Sequence, residues 1–417
     1  MVRQAGQGHE GYGGHWIAQL LAHARRVDGL ELGVVTACPG MREARFAEGN
    51  VRFFVIAQPG RYHAFDMRMQ DLEKCAAIIR EFRPDMIHVH GSERFYGMVK
   101  VTGLADVRML VSIQGLLGSF SQARHFFGAL SPVEIIRSLR VLELPVRLGL
   151  LWQHYYAKKG ARREARILAA ADGYLGRTSW DRAHVSRYNR KAAYHHVGEI
   201  LRPVFYECRW LLKEANRHTL IYTNAGHPNR GTENLLGAMS LLQEEFPDIR
   251  LRLAGTVSTR GGYGRFIRRR INQLGLGERV EFLGYLDAGA MARALLRSHV
   301  FVITSYIENS PNSLAEAMLV GMPCVASCVG GIPDMVQQGT TGLLYPVDDV
   351  PMLADRIRKI FADDKMAVSL GGNARTAALE RHDPDRVIKQ LVLAYEQTMN
   401  SGNQDRVAGV GIPPGER

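Results

Sequence analysis

What this chain of 417 residues lacks narrows the reading first. It has five cysteines, at positions 38, 75, 208, 324 and 328. The number is odd and the spacing is that of neither a zinc site nor a disulfide framework. Cys324 and Cys328 flank a strand-like PCVASC and read as small core residues, and a reducing cytoplasm fits the set best. Long apolar runs are absent: uncharged stretches such as Leu148–Ala157 fall short of a membrane-spanning helix, and no signal-peptide pattern opens the chain. The net charge is +12, yet there is no zinc finger, basic zipper or RNP-like aromatic pattern, so nucleic acid is not an expected partner. His88 and His90 fall on one face of a strand with no third ligand nearby. The only D-x-D, Asp383-Pro-Asp385, precedes a terminal helix and does not follow a sheet strand. No metal site and no resident cofactor are therefore expected.

The stretch Val300–Gly331 holds the densest chemistry. Val300-Phe-Val-Ile303 is a continuous apolar run that suits a strand buried on both faces. A polar loop follows, carrying Glu308 and Asn309. Ser310 reads as an N-cap, Pro311 as the first helical residue, and Gly321 as the stop. Ligands of open parallel sheets sit beyond the carboxyl ends of strands, at the N-terminus of the next helix. The free amides of Asn312, Ser313 and Leu314 accordingly form a pyrophosphate site. Glu308 before the helix and Glu316 inside it flank that site, placed to meet the hydroxyls of a nucleotide diphosphate sugar.

Strands and helices alternate through the rest of the chain, the pattern of doubly wound α/β domains. The expected division is a first domain over 1–200, a connection over 201–217, a second domain over 218–383, a terminal helix over 384–400, and a disordered tail over 401–417. Gly13-Gly14 before the first helix reads as backbone left bare for a ligand. In the first half a predicted strand ends at His90, marking it as a substrate contact, and another runs into Gln114-Gly115. In the second half the strand-end loops carry Arg230, which is suited to neutralising a phosphate, Gly255, and Gly284-Tyr285. Between Ser121 and Arg217 there are 18 Lys or Arg against 8 Asp or Glu. Phe126-Phe127, Leu130, Ile135-Ile136, Leu139 and Leu148–Trp152 interleave with these cations. Two readings stand: an interfacial surface for an anionic membrane, or a solvated basic face over an ordinary core.

The ordered set of motifs resembles the retaining family 4 glycosyltransferases. Glu308-x7-Glu316 is followed by Gly321-Met-Pro-Cys-Val-Ala-Ser327 and Gly330-Gly331. With it go Gly13-Gly14-His-Trp, Pro84–Gly91, Ser112–Gly115, Arg177–Asp181, Arg230-Gly231, Gly255, Val280–Gly284 and Gly339–Leu344, in family order over about residues 13 to 398. The resemblance implies a GT-B fold, two Rossmann-like domains facing a cleft, with the last helix crossing back to the first domain. It implies a nucleotide diphosphate sugar as co-substrate, with Glu308 on the sugar and Glu316 on the ribose. Arg230 and the amides near Ser310–Leu314 would hold the diphosphate, Tyr285 would lie by the base, and the acceptor would enter near Gly14, His90 and Gln114. Metal-independent transfer to a lipid-linked or glycan acceptor in surface-polysaccharide synthesis is the implied activity, in the cytoplasm or at the inner face of the plasma membrane. A nucleotide-sugar epimerase, or a truncated, non-catalytic nucleotide-sugar binder, is the alternative on the same fold. Three departures mark the chain. The family's first strand is missing, Gln114 stands where a histidine is common, and the usual Arg…Lys-Gly clamp reads His227…Arg230-Gly231.

Overall fold

A computed structural model describes residues 15–59, 67–138, 149–257 and 262–407. Gly14, which was expected to line the cleft, and residues 139–148 of the basic stretch, with Leu139 and Leu148 among them, lie outside the described residues.

The second half folds around six short parallel strands: β8 (Thr219–Thr223), β9 (Arg250–Ala254), β10 (Val280–Gly284), β11 (Val300–Ile303), β12 (Cys324–Ser327) and β13 (Leu343–Tyr345), in the spatial order β10-β9-β8-β11-β12-β13. Every residue of β8, β11 and β12 is buried. Their unbroken apolar runs are what a sheet covered on both faces demands. Chain order reverses between β8 and β11, the strand pair that flanks the start of the domain, so the crevice beyond their carboxyl ends is a topological switch point.

The first half is divided. Leu32–Pro39 (β1), Ala44–Glu48 (β2) and Val51–Gln58 (β3) make one sheet in the order β1-β3-β2, with β2 antiparallel. Met86–His90 (β4), Arg108–Ser112 (β5), Gly173–Gly176 (β6) and Ala193–His196 (β7) make a separate parallel sheet. One apolar cluster, including Ala37, Phe54, Ile56, Val89, Met109 and Val111, serves both. No described strand joins the edge of β1 to that of β4.

Three departures from the sequence reading concern the ends and edges. The terminal helix runs Pro384–Val407, past residue 400 and into the expected tail; it packs Val387, Leu391 and Ala394 against Leu110, Leu175 and Val197 of the first domain. The basic stretch is broken into helices, among them Ala123–Phe127, Pro132–Ser138 and Leu150–Ala169. Part of it also leaves the first domain: Leu130 is buried in the core of the second. Asp383, the first carboxylate of the D-x-D, caps the terminal helix by accepting from the Arg386 backbone N–H at 2.7 Å.

The helices Asn312–Leu319 and Asp364–Arg381 pack closely because Gly371 has no side chain. A Cβ there would stand 2.2 Å from the Gly321 carbonyl oxygen, whereas one at the exposed neighbour Gly372 would meet nothing within 4 Å. Overpacking costs about 1–3 kcal/mol, while alanine gains up to ~1 kcal/mol over glycine in a helix. Gly371→Ala is expected to lower the urea-unfolding midpoint and Gly372→Ala to raise it slightly, measured side by side.

Candidate active site

The carboxyl ends of β8 and β11 carry the two residues that matter most. The chain leaves β8 through Asn224, held at φ +62°, and turns through Pro228–Arg230 into Gly231 at φ +63°. Only glycine fits at 231, since a Cβ would meet the Thr304 carbonyl oxygen at 2.3 Å. That close approach brings the loop after β8 against the loop after β11. Arg230 Nη1 ion-pairs with Glu308 Oε1, and Ser305 Oγ donates to the same oxygen at 2.8 Å. Burial lowers the Arg230 pKa from its usual value. The expected phosphate cation and the expected sugar carboxylate thus stand together, across the switch point.

The helix after β11 begins at Asn312, one residue later than expected. Pro311 is the N-cap, with ψ 119°, and Ser310 does not cap: its hydroxyl faces Met335 Sδ at 3.6 Å. The Leu314 amide bonds to the Pro311 carbonyl at 3.1 Å and its side chain is fully buried, which removes it from the expected phosphate donors. Asn312 and Ser313, both half-buried, keep the first two amides of the helix. Glu316 is buried, and Arg202 grips both its oxygens, Nε to Oε1 at 2.8 Å and Nη2 to Oε2 at 2.7 Å. Asn309 faces the first domain. Its amide oxygen accepts from Thr178 Oγ1 at 2.6 Å and its amide nitrogen donates to Asp181 Oδ2 at 3.0 Å. Asp334 adds a second crossing by accepting from the backbone N–H and hydroxyl of Ser179.

Gly255 sits beyond β9 at φ +99°, its N–H donating to the Gly284 carbonyl at 2.7 Å. Tyr285 follows β10 and is 64% exposed, an open aromatic surface on the outer side of the crevice. On the first domain, His88 and His90 share a face, with ring centroids 3.9 Å apart. His88 is fully engaged by Tyr395 and Ser112. His90, Gln114, Arg177 and Glu199 line a cavity of about 30 Å³, room for one water. Gln114 Oε1 accepts from Arg177 at 3.1 Å, and Arg177 ion-pairs with Glu199.

Sequence reasoning passed over Arg202 and Asp334, and named Thr178 and Asp181 only as members of the Arg177–Asp181 motif, without a role; all four act across long sequence separations. It also passed over Glu93, three residues beyond His90. Glu93 accepts from the Gly115 amide at 3.0 Å, and burial with the nearby Glu164 carboxylate raises its pKa to about 7.

His227 takes the place of a second cation, and its surroundings keep it neutral. Phe120 and Phe126 pack on its ring at 5.8 and 4.8 Å between centroids. Nδ1 accepts from the Asn229 backbone N–H at 3.2 Å. Burial, helped by Arg230, lowers its pKa to about 4.

Residues 209–377 match the sequence profile of the glycosyl transferases group 1. The second domain is a group 1 glycosyltransferase domain. N-acetyl-alpha-D-glucosaminyl L-malate synthase of Bacillus anthracis is 29% identical over 137 residues, 33% of this chain and 35% of that protein. Phosphatidyl-myo-inositol mannosyltransferase of Mycobacterium leprae is 30% identical over 182 residues, 43% of this chain and 46% of that protein. The matched region thus spans less than half the length of either curated relative. Among solved structures, sucrose-phosphate synthase from Thermosynechococcus elongatus superposes with a TM-score of 0.72 at 22% identity, covering 92% of this chain and 93% of that one. Anabaena HepE in complex with UDP-glucose gives 0.65 at 17% identity, covering 94% and 98%. At these identities the likeness is one of fold, the two-domain GT-B architecture. In that architecture the group 1 domain supplies Arg230, Glu308 and the helix from Asn312.

A depressed histidine pKa has a definite sign. The folded state holds His227 neutral, so its contribution to stability is complete above the unfolded pKa of about 6.5 and is lost as pH falls toward 4. Asparagine at 227 preserves the cap acceptor without a titrating ring. The urea midpoint of the wild type is expected to fall relative to His227→Asn between pH 6.5 and 4, and to keep a constant offset from it above pH 7.

Proposed function

We propose that the chain transfers a sugar, with retention, from a nucleotide diphosphate sugar to a lipid-linked or glycan acceptor. The observation that carries this reading is the Arg230–Glu308 pair at the β8/β11 switch point, beside the first free amides of the Asn312 helix. A nucleotide diphosphate sugar brings an anion and a ring of hydroxyls to that crevice. The diphosphate competes for Arg230 and accepts from the amides of Asn312 and Ser313. Glu308, released from its cation, is then free to accept from sugar hydroxyls. Glu316 would meet the ribose, Tyr285 the base, and Gly255 would leave room beside the phosphates. Transfer requires stabilising the departing diphosphate, and a guanidinium with helix amides supplies positive charge there without a metal. The UDP and UDP-glucose complexes of HepE, on the same fold, favour a nucleotide-sugar donor. The acceptor would approach from His90, Gln114 and Glu93.

The membrane reading of the basic stretch also has support. Val133, Ile136, Leu151 and Tyr155 are 54%, 66%, 46% and 56% exposed. Along the helix Leu150–Ala169, Leu151 and Tyr155 continue at helical spacing into exposed Lys158, Arg162 and Arg166. No helix among the described residues is long and apolar enough to cross a membrane. Contact would therefore be peripheral, with apolar residues entering the interface of an anionic leaflet and cations beside its headgroups.

A thermal-shift panel of nucleotide sugars identifies the donor, since only a ligand bound by the native state raises the melting temperature. Glu308→Ala is expected to reduce transfer from that donor by a factor of about 10²–10³, the scale of losing a charge-stabilising group at the reacting centre. Activity within a few-fold of wild type would refute the site. Co-sedimentation with phosphatidylserine-containing vesicles, but not with neutral ones, is expected to be lost in Ile136→Asp with nucleotide binding intact.

A further inference from the structure

Glu316 was expected to meet a ribose, but nothing in the sequence said what would hold it there. The structure supplies Arg202, from the connection between domains. Two parallel N–H···O bonds of 2.8 and 2.7 Å join the guanidinium to the carboxylate. Arg202 is itself held. Its guanidinium lies 4.8 Å from the centroid of the buried Phe205 ring. The turn Val204–Glu207 begins at Pro203, and the preceding Leu201 N–H donates to Tyr206 Oη, which in turn donates to the His382 carbonyl at 2.7 Å.

Resting on the donor reading above, we infer that Arg202 is a positioning residue for nucleotide recognition: it fixes the plane of the Glu316 carboxylate so that the remaining lone pairs accept from the 2′,3′-diol of the ribose. An ionised carboxylate offers about four lone-pair sites, of which a bidentate arginine uses two. The fork leaves two acceptors in a set direction, and a vicinal diol presents two donors. Arg202 also opposes the effect of burial and of nearby Glu199, both of which raise the Glu316 pKa. A protonated Glu316 would present a donor where the diol needs an acceptor. Because Arg202 belongs to the connection and Glu316 to the Asn312–Leu319 helix, ribose selection is tied to the segment that joins the two domains.

The test compares full-length wild type, Arg202→Gln, Arg202→Lys and Glu316→Gln by calorimetry against UDP and GDP and their 2′-deoxy and 2′,3′-dideoxy forms, with melting temperatures measured in parallel. Wild type is expected to prefer the ribonucleotide over the dideoxy form by roughly 10- to 100-fold, the scale of hydrogen bonds to a charged group. In Arg202→Gln that ratio is expected to collapse to within about threefold, with the donor KM raised and kcat nearly unchanged. Arg202→Lys, which keeps the charge but not the fork, is expected to fall between. A ratio unchanged in Arg202→Gln overturns the inference. So does an equal loss for both ligands that tracks a lower melting temperature, which is the mark of a purely structural pair. Wild type that binds UDP or GDP without discriminating the ribose overturns it while leaving the donor reading intact. Wild type that binds neither nucleotide overturns the donor reading with it.

Discussion

An arginine and a glutamate face each other across the one place in the second sheet where strand order reverses. Arg230 and Glu308 come from loops 78 residues apart, brought together because Gly231 lets one backbone touch the other. A partly buried pair of this kind gains little net stability, since desolvating two ions offsets much of their attraction, and removing either partner leaves the other uncompensated. Its value lies in exchange. On the proposed reading, a ligand carrying both an anion and hydroxyls would offer each partner a replacement, the anion for Arg230 and hydroxyl donors for Glu308. Neighbouring groups serve that constraint: Ser305 holds Glu308 from behind, and neutral His227 adds no second charge to unbalance the pair.

The same loops carry the contact between domains. Asn309, adjacent to Glu308, is clasped by Thr178 and Asp181, and Pro228–Arg230 is flanked by the segment from Phe120 to Leu130. Gly128 is forced there by its φ of +57° and by Tyr306 and the Pro228 carbonyl, which a Cβ would strike at 2.6 and 2.7 Å. Phe126 packs on His227, and Leu130 enters the second core. The segment that carries the basic apolar surface therefore lies directly on the loop that carries Arg230. Domain closure, the placing of that surface and the shape of the crevice are consequences of one set of contacts.

The second sheet was the most legible part of the chain. Val300–Ile303 is a short, wholly apolar run, and it sits where the sequence placed it. Strands at sheet edges were missed: β2 and β7 carry exposed residues, and β13 has three residues. Local chemistry misled at Pro311. Proline suits the first helical position, but here its ψ of 119° is extended, so the helix starts after it and the Leu314 amide turns back to the proline carbonyl. The Arg230–Glu308 pair could be anticipated because both residues fell in loops that follow predicted strands of one sheet. The Arg202–Glu316 pair could not, because its members lie 114 residues apart and Arg202 stands in a stretch with no period. The extension of the last helix through 401–407 was hidden by Gly402 and polar neighbours, residues whose weak helix propensity is outweighed once a long helix already leads into them.

The divided first domain poses a separate physical problem. A parallel strand without a neighbour leaves alternate N–H and C=O groups unpaired along its edge, and burying them unpaired costs more than most single contacts return. At Ala37 of β1 the chain answers with side chains in place of a ladder. The Tyr96 hydroxyl accepts from the Ala37 N–H at 2.8 Å, and Arg94 reaches its carbonyl at 3.4 Å. Both come from the segment after β4, a strand that pairs only with β5 among the described residues. The apolar residues of the two sheets still share one core, with Phe54 and Ile56 packing in the same cluster as Val89 and Val111. Among the described residues the first domain therefore keeps its layer by packing where no ladder joins its two sheets. A core can tolerate this because apolar burial is not directional. Backbone hydrogen bonds are directional, so they have been rerouted through a tyrosine and an arginine.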